Sequence, residues 1–174
     1  MPSDFSLEKL ALSLDRDLFL RTLIRELAGL LEEVVGQEGA AGYISLVGQN
    51  MGRWLNGLYR QAMGVERLTP AQVAEVLIDL KRRIGGGFSL LEQNDKKIVL
   101  ANDACPFAEK VIDRPSMCMM TSNVFGVIAA ENLGYAKVVL QETIAGRCPR
   151  CLVTIFLATT EEAHVMAGRE YFGG

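Results

Sequence analysis

Residues 105–151, CPFAEKVIDRPSMCMMTSNVFGVIAAENLGYAKVVLQETIAGRCPRC, contain all four cysteines of the chain, and their reading decides the fold. Cys105 and Cys118 are separated by twelve residues, and Cys148 and Cys151 close the stretch as a C-x-x-C. Between them, Ser116 to Leu133 has helical spacing, with Met120, Val124, Val127 and Ile128 inward and Gly134 as the stop signal. A strand precedes Cys105, and another begins at Ala136. If the first strand runs upward, the helix must run down to bury its stripe. The strand from Ala136 then climbs back parallel to the first, by a right-handed crossover. A helix of roughly 16 residues covers about 24 Å. The returning strand regains that height in about seven or eight residues. Cys105, Cys118, Cys148 and Cys151 are therefore expected at one rim of a small sheet.

Outward from that stretch, Phe88 to Leu91 and Lys97 to Ala101 read as a hairpin around Gln93-Asn94-Asp95-Lys96. Ala136 to Leu140 and Leu152 to Leu157 read as a second one. Thr159 and Glu162 are expected to cap a final helix holding His164, Tyr171 and Phe172. The N-terminal half reads as helices. Residues 5–14 form a short lead-in. Asp15 to about Val35 carries Leu18, Phe19, Leu23, Ile24, Leu27, Leu30 and Leu31 at helical spacing. A turn near Gly36 separates it from Ala40 to Met63, which carries Ile44, Val47, Met51, Trp54, Leu55 and Leu58 on one side. Gly42, Gly48, Gly52 and Gly57 lie within that helix, where each glycine costs about 1 kcal/mol against alanine. They point to close approach of another backbone, a partner helix or a ligand. Thr69, Pro70 and Gln72 make a capping box for a third helix with Val73, Val76, Leu77 and Leu80 buried, ended at Gly85-Gly86-Gly87. The expected class is α+β: N-terminal helices on a small, mostly antiparallel sheet of about four strands, with one helical crossover. A single domain over residues 1–174 is expected, helical to 84 and then sheet-forming and cysteine-rich.

Composition narrows the function. With 18 Lys and Arg against 21 Asp and Glu the net charge is −3, and the one basic block is Lys81-Arg82-Arg83. Nucleic-acid binding, which needs several cations on one face, is disfavoured. The triplet sits at a helix end, where cations offset the dipole. No segment reaches the roughly 18 apolar residues of a spanning helix, and MPSDFSLEKL lacks a signal-peptide layout. A cytosolic, reducing setting follows, in which close cysteines are ligands or redox groups more often than disulfides.

Four thiolates at one rim satisfy tetrahedral zinc, and Cys-Pro-Arg-Cys has the form of a metal knuckle. Glu142, just before the knuckle, is a substitute ligand if one cysteine stays free. An iron–sulfur cluster is a second reading, and free or redox thiols are a third. Redox C-x-x-C sites open a helix, whereas a strand follows here. Cys118, next to Met119 and Met120, also reads as a small core residue. Met117, Met119 and Met120 suit either core packing or an adaptable apolar pocket. His164, the single histidine, reads as a surface or packing residue. The pairs Glu32-Glu33 and Glu161-Glu162 read as solvated, and Gly85–Gly87 lacks the lysine of a phosphate loop.

The residues Cys105-Pro106-Phe107, Cys118 with Met120-Thr121 and Phe125-Gly126, Ile144-Ala145-Gly146 through Cys151, and Val153-Thr154-Ile155 resemble the methanogen output domain family, related to 4-vinyl-reductase-type ligand-binding domains. Gly48 and Gly52 also fit, so the resemblance spans nearly the whole chain. It implies an α+β ligand-binding fold shared with TRAPP vesicle-tethering subunits and with sensor domains of aromatic-responsive activators. It also implies dimerisation, a small molecule held between helices and sheet, and zinc on three cysteines and a glutamate beside that pocket. By position the matching residues are Cys118, Glu142 and Cys151; Cys148 is an insertion and Cys105 lies upstream. The Cys-Pro-Phe opening is also similar to sensor regions of iron–sulfur repressors, with Asn132 near the place of a third cluster cysteine.

The expected function is a cytosolic sensory, ligand-binding domain in signal transduction. It would be a homodimer with a zinc site on cysteines beside a small-molecule pocket, and would signal through a separate partner protein. The alternatives are an iron–sulfur or thiol redox sensor, and a metal-dependent reductase or hydrolase.

Overall fold

The computed structural model of the chain describes residues 13–174. Helix α1 (Arg16–Met63) starts at Asp15, whose side chain accepts a hydrogen bond from Leu18 N–H, and ends on Gly64 in the left-handed conformation. Gly36, with φ 75° and ψ 165°, breaks it in two, at the turn expected there. Helix α2 (Pro70–Arg83) opens with the full capping box of Thr69 and Gln72. Strands β1 (Phe88–Gln93) and β2 (Lys97–Asn102) follow, then helix α3 (Cys118–Leu133), strand β3 (Tyr135–Glu142), strand β4 (Cys151–Phe156), the short helix α4 (Glu161–Val165) and strand β5 (Arg169–Phe172). The expected lead-in helix over residues 5–14 lies almost wholly outside the described residues.

The strands form one sheet in the order β1-β2-β4-β3-β5, each neighbouring pair antiparallel. Because β2 and β3 are both antiparallel to β4, they run parallel to each other. The direction argued from the sequence therefore holds, with β4 inserted between them. The sheet has five strands rather than about four. The extra one, β5, holds Tyr171 and Phe172, which were assigned to a final helix. That helix is only five residues long and is capped by Thr160, not Thr159, through Ala163 N–H. β5 escapes the pattern because just four residues form it and only Tyr171 is buried.

α3 is buried on almost every side. Phe125, Ile128 and Val124 join Ile98, Leu100, Val138, Val153 and Ile155 of the sheet and the α2 residues Val73 and Leu77 in the main core. Its opposite face receives α1. A Cβ on Gly48 would stand 2.8 Å from Asn123 Cβ, and one on Gly52 would stand 2.9 Å from Val127 Cβ. Gly48 and Gly52 therefore serve close helix packing within the chain, whereas Gly42 and Gly57 face open space.

The apolar residues of α1 are not where their spacing suggested. Phe19, Leu23, Ile24, Leu27, Leu30, Val47, Met51, Trp54 and Leu58 are exposed. The buried positions of the second half are Ala40, Ser45, Gly48, Gly52 and Asn56. The first half docks through Ala28, which packs with Val111, Met117 and Ala145, and through polar groups. Arg25 donates to the Lys110 and Ile112 carbonyls at 2.6 and 2.8 Å, and Ser116 donates to Glu32. Small residues and hydrogen-bonding partners, not the large apolar side chains, decide which way this helix faces.

Candidate functional site

Three of the four cysteines line one small cavity. Its walls also include Phe88, Pro106, Phe107, Met117, Thr121, Leu140 and Ile144, so apart from the sulfurs it is largely apolar. The cavity volume is about 30 Å³, room for a water or two. Each cysteine arrives on a different element. Cys105 follows the end of β2, Cys118 is the first residue of α3, and Cys151 opens β4 opposite Asn102. Chain direction thus brings these three together as expected. Cys148 does not line the cavity.

The segments carrying the cysteines are held against each other under backbone strain. The non-glycine residues with positive φ among the described residues are Ala108, Asp113 and Arg147, at 47°, 60° and 65°. All three lie in the crossing segment after Cys105 or in the turn before Cys148. Such conformations cost on the order of 1–3 kcal/mol each and persist where the surroundings over-determine them. Here Arg147 Nε donates to Asp113 Oδ1 at 2.9 Å, and Asp113 N–H donates to the Ala145 carbonyl at 3.0 Å. The Arg25 bonds clamp the same segment from α1.

Burial disfavours the charged form of two of these thiols. Burial, then repulsion from Cys151 and Cys105, pushes Cys118 up to about 12, opposed by Lys81 and a hydrogen bond with Thr143. Burial also raises Cys105, although the backbone N–H groups of Phe107 and Ala108 and the charge of Lys81 favour its thiolate. Ile144 N–H donates to the Cys151 sulfur at 3.4 Å.

Lys81 is the residue that sequence reasoning missed. It was assigned to the helix dipole with Arg82 and Arg83. Those two do stay outside, where they pair with Asp79. Lys81 instead is 5% exposed and donates to Thr121 Oγ1 at 2.7 Å, with its ammonium 5.7 and 5.3 Å from the ring centroids of Phe88 and Phe125. Burial pulls it down to about 8, against the charges of Cys105, Cys151 and Cys118. Among the described residues no carboxylate pairs with it. The available signal was its register in α2: Leu77, Leu80 and Lys81 all lie on the buried face.

The remaining candidates fall elsewhere. Glu142 accepts from Arg150 Nε at 2.9 Å, and that guanidinium holds its carboxyl below the usual range. Asn132 is fourteen residues beyond Cys118 along α3, about 21 Å away. Its amide is used up there: it donates to Asn56 Oδ1 and the Ile128 carbonyl and accepts from Leu68 N–H. It therefore cannot stand in for a cluster ligand beside Cys118. His164 is exposed on α4. Among the described residues, no group of three or more His, Cys, Asp or Glu side chains stands in a metal-ligating arrangement. No helix among them is long and apolar enough to cross a membrane.

Among solved structures, trafficking protein particle complex subunit 3 from Naegleria fowleri, covalently bound to palmitic acid, is similar over 91% of this chain and 98% of its own. The TM-score is 0.52 at 9% sequence identity, so the likeness shows the fold alone. No curated protein matches the sequence. The family model described as methanogen output domain 1 matches residues 23–156, which include both the glycine face of α1 and all four cysteines. The chain belongs to the methanogen output domain 1 family.

Proposed function

We propose that this output domain is a sensory, ligand-binding element of signal transduction whose input is registered at the cavity between Cys105, Cys118 and Cys151. One observation supports the reading above others: three thiols from separate elements, with a buried ammonium behind them, meet where the backbone is strained. Such a site selects soft, thiol-seeking inputs. Burial disfavours the thiolates of Cys105 and Cys118, and uptake of a thiophilic ion or electrophile would expel their protons. Among the described residues no three ligands stand ready for a metal, so a divalent ion such as zinc would have to draw the three sulfurs together, and Lys81 would offset the one negative charge left by three thiolates and the ion. The donors of any such metal site are then Cys105, Cys118 and Cys151, without Cys148 or Glu142. The strained loops couple occupancy to shape, because drawing the sulfurs together moves the Asp113–Arg147 contact. Output passes to a separate partner protein.

The trafficking subunit with this fold carries covalent palmitate. An acyl chain needs many times the 30 Å³ found here, so the same use of this cavity is not favoured.

The test is metal uptake by the reduced protein, read as bound zinc or cadmium per chain. The reading expects one equivalent, lost in Cys105→Ser, Cys118→Ser and Cys151→Ser and kept in Cys148→Ser. Uptake that ignores the first three substitutions, or needs Cys148, overturns the three-thiol donor set. If no metal is taken up, a mild oxidant or alkylating agent is applied. Modification that changes the circular dichroism of wild type but not of Cys118→Ser supports the thiol form of the reading. No change in either ends it.

A further inference from the structure

The polar side chains around the thiol cavity have donors left over. Asn102 lines it at the end of β2 and is 2% exposed. Its Oδ1 is taken by the N–H groups of Gly87 and Ala104 at 2.9 and 3.2 Å. What remains of that side chain is its Nδ2 amide, a donor. Thr121 lines the same cavity one turn into α3. Its Oγ1 accepts from the Lys81 ammonium at 2.7 Å, which leaves its own hydroxyl proton to give. Thr143, by contrast, spends its hydroxyl on Cys118 and on Gly146 N–H. No carboxylate belongs to the cavity wall.

Charge points the same way. Lys81 is 5% exposed and pairs with no carboxylate among the described residues. The rings of Phe88 and Phe125 ease its burial without neutralising it, whereas buried charges are ordinarily paired. The cavity also lies at the N-terminus of α3, a helix of 16 residues with no acidic residue in its first turn. The positive end of that dipole adds to the lysine.

Size and softness narrow the occupant. A volume of about 30 Å³ admits one ion of roughly the bulk of a water or two, and excludes tetrahedral oxyanions such as sulfate. Two free donors are too few to replace the shell of a strongly hydrated ion such as fluoride. Sulfurs and aromatic rings suit a polarisable one.

We propose that the cavity binds one small, polarisable monovalent anion, a heavier halide or hydrosulfide, held by Thr121 and Asn102 with Lys81 as its counter-charge. The site shares the cavity of the thiol reading but needs the lysine, the hydroxyl and the amide rather than ligation by sulfur, so either can fail without the other. Where a metal ion turns the thiols into thiolates, these take over the pairing with Lys81 and the anion leaves.

The test is the line width of the bromide NMR signal over the reduced, metal-free full chain, because bromide that visits a protein site relaxes far faster than free bromide. Wild type is expected to broaden the signal saturably, with one site per chain. Thr121→Val, which keeps the shape and removes the hydroxyl, is expected to weaken binding about tenfold or more. Lys81→Met is expected to abolish the broadening, and both variants keep the circular dichroism of wild type. Cys148→Ser, outside the cavity, is expected to match wild type. Chloride and sodium hydrosulfide are then titrated as competitors. Displacement of bromide by either supports the site, and the one effective at the lower concentration is its preferred ligand. Sulfate that competes as well overturns the proposal, as does broadening that survives Thr121→Val and Lys81→Met, or none in wild type. Ultraviolet thiolate absorbance at pH 7 that vanishes in Lys81→Met makes a cysteine the partner of the lysine, and overturns it too.

Discussion

A buried lysine with three cysteines for company and, among the described residues, no carboxylate is a costly arrangement for a protein that needs only stability. Lys81 titrates near 8 in the fold and near 10.5 in the unfolded chain. The unfolded state therefore binds more protons between those values, and this group makes stability rise with pH across that window. At neutral pH it destabilises the fold. Lys81→Met, which keeps the volume and removes the charge, is expected to raise the free energy of unfolding at pH 7 by on the order of 2 kcal/mol, with the gain shrinking toward pH 10.5. Urea titrations at several pH values read both effects, and a less stable variant contradicts the assignment. Cys118 acts in the opposite sense. Its folded value of about 12 lies above the ordinary 9, so its contribution to stability is present below pH 9 and lost as pH rises toward 12. The same shift makes it a poor nucleophile. Under limiting iodoacetamide at pH 7.5, peptide mapping is expected to find Cys118 modified last. Modification of Cys118 ahead of Cys148 rules out its placement in the cavity.

At the scale of elements, the glycines of α1 separate into two kinds. Gly52 has Val127 against it, whereas Gly57 has nothing within 4 Å. Gly52→Ala is expected to cost about 1–3 kcal/mol through overpacking, and Gly57→Ala to gain up to about 1 kcal/mol of helix propensity. Thermal unfolding of the two variants checks the contrast; equal shifts would mean that α1 does not rest on α3. The same helix shows where sequence reading succeeds and fails. Capping at Thr69, the break at Gly36, the stop at Gly134 and the direction of β3 were legible, because each is set by residues close to one another in the chain. The facing of α1 was not. Its leucines are more apolar than the glycines and polar residues on its other side, and only tertiary partners such as Lys110, Ile112 and Ser116 reverse the preference. β5 was hidden for a related reason: its placement depends on Tyr171, which lies against Gly126 and hydrogen-bonds Ser122 at 2.9 Å.

For the whole molecule, the path of the chain accounts for the site. A parallel pair of strands joined by a helix, with an antiparallel strand between them, brings the end of β2, the start of α3 and the start of β4 to one rim. The same directional argument put all four cysteines there. The turn over Arg147 leaves Cys148 outside the cavity, because the strained backbone of that turn is fixed by Asp113 and not by its own sequence. The convergence of Cys105, Cys118 and Cys151 is what the functional reading depends on, and a short thiol-bridging reagent tests it directly. Reduced protein treated with dibromobimane near pH 9, then digested and mapped by mass spectrometry, is expected to give bridged peptides that join Cys105, Cys118 and Cys151 in pairs. Bridging confined to Cys148 and Cys151, as neighbours in a turn would give in any fold, contradicts the convergence.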